Sequence, residues 1–329
     1  MKITAVIVTY ANRVQLVTQV VDECMLQGID RIVLIDNGSP SGNKEKLRTL
    51  QNKYTKNNIF IHENESNEGS AAGFAKGLRL AVSLSEKDSW VLVLDDDNKL
   101  ESGVVGYLRH IGKQGNMFNA YSCFRADREH YNKFIQTNDI KYITGKPNSF
   151  MLFSISEYLK EKIRLTPNSR ILSSSEDFIP IPCGPYGGLF ISVAAISMAG
   201  YPNESLYLYF DDTEYTLKLK EKGIALFLAR KSIIRDIDTS WGSETKKGFS
   251  YHPAFIADKF RVFYSYRNRV YVEKKYFVKN IFLYQLNMFF SLFILFVKAL
   301  ISGNMSRFLF ICKSVMLGWV FDKDGKSRK

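Results

Sequence analysis

Cysteine is scarce: the 329-residue chain has four, at positions 24, 123, 183 and 312, and no two share a C-x-x-C spacing. That excludes a disulfide framework and a cysteine zinc site, and it fits a reducing cytosol. Histidine is equally rare, and His62, His110, His130 and His252 show no paired metal-ligand spacing. A G-x-S-x-G elbow is missing, which removes support for a Ser/His/Asp hydrolase; the Rossmann fingerprint and the Walker loop are missing too. The opening MKITAVIVTYANR holds too short an apolar run for a secretory signal, and no small-residue cleavage site follows it.

Negative charge is sparse in the C-terminal part. The chain carries 45 Lys+Arg against 33 Asp+Glu, a net of +12, and from Ser243 onward it has 16 basic and five acidic residues, so residues 1–242 are almost neutral. A basic tail points to nucleic acid or to an anionic membrane surface. No nucleic-acid reading motif accompanies the charge, so nucleic acid is not expected as a partner. Residues 281–301, IFLYQLNMFFSLFILFVKALI, are apolar apart from Gln285, Asn287, Ser291 and Lys298, and a second apolar piece covers 308–321. The first run reaches the ~20 residues a bilayer span needs. Its polar interruptions and basic flanks favour a peripheral amphipathic hairpin lying in the membrane interface, with a dimer interface through the C-terminal helices or a buried core as the next alternative and a true span as the last.

What is present in the first hundred residues is a repeat of apolar runs and helix-like segments. ITAVIVTY (3–10), RIVLIDNGS (31–39), NIFIHENES (58–66) and WVLVLDDDN (90–98) read as buried parallel strands; 13–28, 43–56 and 69–85 read as crossover helices. This is an α/β pattern with a mostly parallel sheet, whose strand C-termini gather polar residues along one edge, where ligands bind in such sheets. Residues 102–182 read less clearly, with a basic helix-like piece around 156–164 and a Pro/Ser-rich stretch. PYGGLFISVAAISMAGYP reads as a strand running into a helix ended by Gly200; the following segment starts a helix at Asp211-Asp212 and closes it at Gly223. The expected division is 1–254 as a catalytic domain, with halves at about 1–100 and 101–254, and 255–329 as a basic, aromatic-rich helical region.

Two acidic clusters carry the chemistry. Asp95-Asp96-Asp97 end the most apolar strand, where mutual repulsion makes them a poor structural choice and hard oxygen ligands suit Mg²⁺ or Mn²⁺. Extended alternation would place Asp95 and Asp97 on one side and Asp96 on the other. Asp211-Asp212-Thr213-Glu214 offers a general base, a role that must be weighed against simple helix capping. Asn67 to Phe74 opens a helix with small residues that permit close backbone approach to an anion.

In this order, VTYANR, IDNGS, NEGSAAGF, LDDDN, GGLFIS, FDDTEY and YSYRNR resemble the family 2 inverting glycosyltransferases of GT-A fold. The branch resembled is that of bacterial galactofuranosyl- and rhamnosyltransferases, and the closing LGWVFDKDGKSRK is similar to the ending of that branch. The resemblance implies a Rossmann-like GT-A sheet flanked by helices, with the C-terminal helical extension beside it. It implies that Thr9, Tyr10, Arg13, Asp36, Asn67, Gly69, Asp95 and Asp96 bind the nucleotide sugar, and that Asp95 and Asp97 hold a divalent metal, Mn²⁺ or Mg²⁺. Asp212 would be the general base, with Asp211 as the alternative. Gly187, Gly188 and Glu214 would face the acceptor. A histidine that often completes the metal site is missing from KSIIRDIDTSWG, which leaves Asp236, Asp238 or His252 as its replacement, or Arg235 on the diphosphate with weaker metal dependence.

The function these readings imply is an inverting transfer of galactofuranose from its UDP donor, or of rhamnose from dTDP-rhamnose, onto a glycan or lipid-linked glycan acceptor. The expected setting is cell-surface polysaccharide synthesis at the cytoplasmic face of the bacterial inner membrane. A nucleotidyltransferase and a noncatalytic membrane-surface scaffold are the readings from other classes; the first lacks its basic Gly-rich phosphate loop.

Overall fold

The computed structural model describes residues 1–54, 58–162, 176–238 and 251–321. Strands β1 (Ile3–Thr9), β2 (Arg31–Asp36), β3 (Ile59–Glu63) and β4 (Trp90–Asp95) are joined by helices α1 (Val14–Leu26), α2 (Ser41–Lys53) and α3 (Gly69–Ser83). They pair in parallel in the order β3-β2-β1-β4. Side chains of a strand alternate between faces, so Ile7, Leu34 and Leu92 join the apolar core on one side, and Val6, Val33 and Val93 that on the other. Each such buried side chain contributes about 1.5–3 kcal/mol, which explains why these strands are nearly continuous Val, Ile and Leu.

Beyond β4 the chain adds β5 (Asn98–Leu100), α4 (Val104–Gln114), β6 (Asn119–Arg125), α5 (Glu129–Thr137), α6 (Lys141–Thr144), α7 (Ile155–Lys162), β7 (Phe178–Pro180), β8 (Leu189–Ser192), α8 (Val193–Ala199), α9 (Asp211–Glu221) and β9 (Ala225–Asp236). The described strands form one sheet in the order β3-β2-β1-β4-β8-β6-β9-β5, with β7 also on β9. β8 runs antiparallel between β4 and β6, while β9 is parallel to β6 and antiparallel to β5. This α/β sheet flanked by helices is the expected architecture, and its second half is the more mixed one.

The expected helical region begins at α10 (Pro253–Ile256), continues through α11 (Lys259–Val272) and a π-helical turn at Glu273–Phe277, and ends in α12 (Ile281–Ser302) and α13 (Met305–Val320). Asp258 and Asn280 cap α11 and α12 by accepting backbone N–H bonds, and Gly303 breaks the chain between α12 and α13 in the left-handed region. Phe150, Phe255, Val262, Tyr284, Leu295 and Ile311 make a separate small core there. Residues 55–57, which include the last two of the expected second crossover helix, 163–175 with the Pro/Ser-rich stretch, the end of KSIIRDIDTSWG and the ending after 321 lie outside the described residues.

Candidate active site

The C-terminal ends of β1 and β4 lie side by side, with Val8 opposite Asp95. Past that point the acidic triplet turns, and Asn98 closes the turn. Its Oδ1 accepts from the Asp95 N–H at 3.0 Å; its Nδ2 donates to Asp97 Oδ1 at 3.2 Å and Asp236 Oδ1 at 3.0 Å. A turn does not alternate sides as a strand does, which corrects the expected separation of Asp96 from its neighbours. Asp96 and Asp97 share one guanidinium: Arg13 donates from Nε to Asp96 at 2.9 Å, from Nη2 to Asp97 at 3.0 Å and from Nη1 to Asp238 at 2.6 Å. Thr9 Oγ1 adds a bond to Asp96 at 2.8 Å. Burial pushes the Asp95 carboxyl up to about 7, with Arg125 4.0 Å away opposing the shift, and Asp96 up to about 6 against the pull of Arg13.

The facing wall is the loop before α9. Tyr207, Tyr209 and Phe210 have φ of 65°, 63° and 60°, a left-handed conformation that bulky residues adopt only when neighbours hold them there. The holding group is on α11. Buried Asn268 donates through Nδ2 to the carbonyls of Leu206 (2.8 Å), Leu208 (2.7 Å) and Tyr209 (2.8 Å), and Arg267 Nη2 to those of Ser205 and Leu206 at 3.0 Å. From the other side, Gly69 (φ 86°) lets α3 start directly against the Tyr207 carbonyl, where any Cβ would collide. So placed, α9 opens with Asp211 and Asp212. Asp211 is buried and accepts from Ser70 Oγ at 2.8 Å; Asp212 accepts through Oδ1 from the Thr213 N–H at 2.6 Å and Thr213 Oγ1 at 3.2 Å. Burial raises both carboxyls above the usual range, and the neighbouring Asp212 charge raises Asp211 further, while the Thr213 bonds hold Asp212 back.

A cavity of about 820 Å³ separates the two walls. Of the expected residues, Tyr10, Arg13, Asn67, Gly69, Asp95, Asp96, Asp97, Asp211, Asp212, Asp236 and Asp238 line it, and Thr9 stands one step behind on Asp96. Others do not reach it. Asp36 is wholly buried at the end of β2, accepting from the Ser39 N–H at 2.9 Å, and Asn37 takes its place in the wall, holding Asn67 and Gly69. Gly187 and Gly188 make room for Asp95, Asn98 and Cys123 rather than for an acceptor. Glu214 lies on the far side of α9, bonded to Lys275 at 2.8 Å and Tyr276 at 3.2 Å. His252 caps α10, accepting from the Ala254 N–H at 3.3 Å, with its ring against Phe255. Arg235 pairs with Glu101 at the surface. Asp236 lines the cavity, but Arg125 and Arg128 each take one of its oxygens, so it is a poor third metal ligand.

Sequence reasoning missed Arg125, Arg128, Asn98 and Asn268 as site-building residues. Arg125 did carry a signal: it is a charge ending the apolar strand NAYSCFR, as the aspartates end theirs. Among the described residues no group of three His, Cys, Asp or Glu converges as a metal site. The donor set nevertheless fits a hard divalent cation: eight aspartates but four arginines line the cavity, and the half-buried Asp95 has its ion-pair partner, Arg125, no nearer than 4.0 Å. One or two carboxylates suffice for Mg²⁺-type ions when substrate phosphates complete the shell.

Residues 5–161 match the model of Glycosyl transferase family 2. That match spans β1 to α7 and so includes the acidic triplet and Arg13. No curated protein matches the chain by sequence. Among solved structures, the chain is similar to the mannosyltransferase PcManGT from Pyrobaculum calidifontis in complex with GDP-Man and Mn²⁺, at TM-score 0.54 and 13% identity over 95% of this chain and 73% of that one. It is also similar to GalNAc-T7 with UDP, GalNAc and Mn²⁺, at TM-score 0.53 and 14% identity, over 83% of this chain and 48% of that one. The fold is therefore GT-A-like.

Proposed function

We propose that the protein is an inverting glycosyltransferase that moves a sugar from a nucleotide donor to a glycan or lipid-linked glycan hydroxyl. One observation carries the reading: the acidic pair that opens α9 faces the Asp95–Asp97 turn across a single cavity. Asp212 is the base, because its bonds to Thr213 engage Oδ1 at a helix N-terminus, where the anion is favoured. It takes the proton of the acceptor hydroxyl as that oxygen attacks the anomeric carbon from the side opposite the nucleoside diphosphate, and the departing diphosphate takes the bonding electron pair. One displacement inverts the anomeric configuration. Arg13 orients Asp96 and Asp97, and Arg125 adds positive charge on the donor side. A divalent cation bound by Asp95 and Asp97 would supply further charge stabilisation for the leaving diphosphate.

The donor in this proposal is UDP-galactofuranose, in bacterial cell-surface polysaccharide synthesis, on the resemblance carried by NEGSAAGF, LDDDN and YSYRNR. Thermal-shift measurement with UDP, dTDP and GDP, each with Mn²⁺, tests it: UDP should raise Tm most, and dTDP doing so would favour rhamnose. No shift with any of them would overturn the nucleotide-sugar reading. In donor-turnover assays Asp212→Asn should lower kcat by about 100-fold or more with little change in donor KM.

A further inference from the structure

Residues 274–321 contain six Lys or Arg and not one Asp or Glu. Within this stretch α12 has two apolar faces. The inward face, with Tyr284, Asn287, Leu295 and Ala299, is buried. The outward stripe, Phe282, Leu286, Phe289 and Phe293, repeats at three- and four-residue spacing, and its phenylalanines are 68%, 62% and 53% exposed. On α13, Leu309 and Met316, seven residues apart, are exposed as well. A helix apolar on all sides belongs in a core or against lipid, and a row of exposed aromatics on a water-soluble surface marks an interaction site.

We propose that the outward face of α12 docks on an anionic bilayer, with the helix lying in the plane of the interface and its phenylalanines at the headgroup–acyl boundary. Charge selects this occupant. A second copy of the chain would bring one basic stretch that lacks carboxylates of its own against another, whereas anionic headgroups supply counter-charge to exposed Lys279 and Lys313. Polar bonds fix the orientation. Tyr284 OH donates to Glu273 at 2.9 Å, Asn287 Oδ1 accepts from the Ile155 N–H at 2.9 Å, and Asn287 Nδ2 donates to the Asn148 carbonyl at 2.8 Å. Crossing the hydrocarbon would break these bonds and leave their groups without partners. The helix is long and apolar enough to span, with 17% of its most apolar window buried, yet it is stitched sideways to the rest of the protein.

Flotation of the full-length protein with vesicles tests the proposal independently of any transferase activity. The protein should float with phosphatidylcholine vesicles containing about 30 mol% phosphatidylglycerol, and pure phosphatidylcholine should carry at least about tenfold less. The triple variant Phe282→Ser, Phe289→Ser, Phe293→Ser should lose about tenfold or more of this binding with its Tm unchanged. Lys279→Glu with Lys313→Glu, which leaves the apolar face intact, should bring binding to the two vesicle types together. Three results would overturn the idea: wild type that fails to float with anionic vesicles, either variant floating like wild type, or a dimer in sedimentation velocity that the triple variant disperses. Retention in membranes through alkaline carbonate extraction would overturn the in-plane placement in favour of a span.

Discussion

The side-chain amide of Asn268 lies 2.8 Å from the carbonyl oxygen of Tyr209, so a fully buried residue of the C-terminal helices holds the backbone that presents Asp211 and Asp212. The cavity wall that carries Asp211 and Asp212 and the helical extension are in this sense one construction: Arg267 and Asn268 of α11 supply the donors for four loop carbonyls, and the loop supplies the start of α9.

Asn268→Ala should therefore damage both stability and site. It leaves buried carbonyls without their donor, at about 1–3 kcal/mol for each unsatisfied group, and frees Tyr207, Tyr209 and Phe210 from their left-handed conformation. Urea unfolding should show the loss. Residual turnover per folded molecule should also fall, which distinguishes a positioning role from a purely structural one. Asn268→Asp should be worse, because a carboxylate would face carbonyl oxygens.

Asp211 tests the pH linkage. Its carboxyl is raised in the folded state by burial and by Asp212, so its contribution to folding is most favourable below the unfolded carboxylate value of about 4 and is lost as pH rises through the raised folded value. Asp211→Asn keeps an acceptor for Ser70 and removes the titration. Its Tm should exceed that of wild type at pH 8, and the difference should shrink toward pH 5. A constant difference across that range would contradict the assignment.

Glu214 belongs to the scaffold rather than to an acceptor site. Truncation to Ala strands the Lys275 ammonium beside a buried surface and should cost about 3 kcal/mol. Denaturant titration checks the cost. KM for the acceptor should stay unchanged in the folded fraction, and Glu214→Gln should recover much of the stability by retaining the bonds to Lys275 and Tyr276.

At Gly187 a methyl group would meet Asn98 Oδ1 and come within 2.6 Å of Asp95 Oδ2. Gly187→Ala should push Asp95 off the closed turn and weaken nucleotide binding about tenfold or more, measured by calorimetry with UDP and Mn²⁺. Because Gly187 lies outside the left-handed region, this effect tests sterics at the site and not backbone strain.

The sequence alone determined the parallel first half of the sheet, the clustering of Asp95–Asp97 at a strand end, the helix opening at Asp211 and the apolar C-terminal helices, because periodicity, burial and capping are local properties of neighbouring residues. It also carried the ordered motifs behind the family resemblance. Only the tertiary structure decided which of the charged residues share a cavity. Arg13 reaches Asp238 across 225 positions, and Arg125 reaches Asp236 across 111, distances along the chain over which no local pattern holds. The same holds for the residues that fell away: Glu214 sits close to Asp212 in sequence, yet helical twist turns it to the opposite face, toward Lys275. Local chemistry names the groups, and the crossing of strands and helices from distant parts of the chain selects which of them act together.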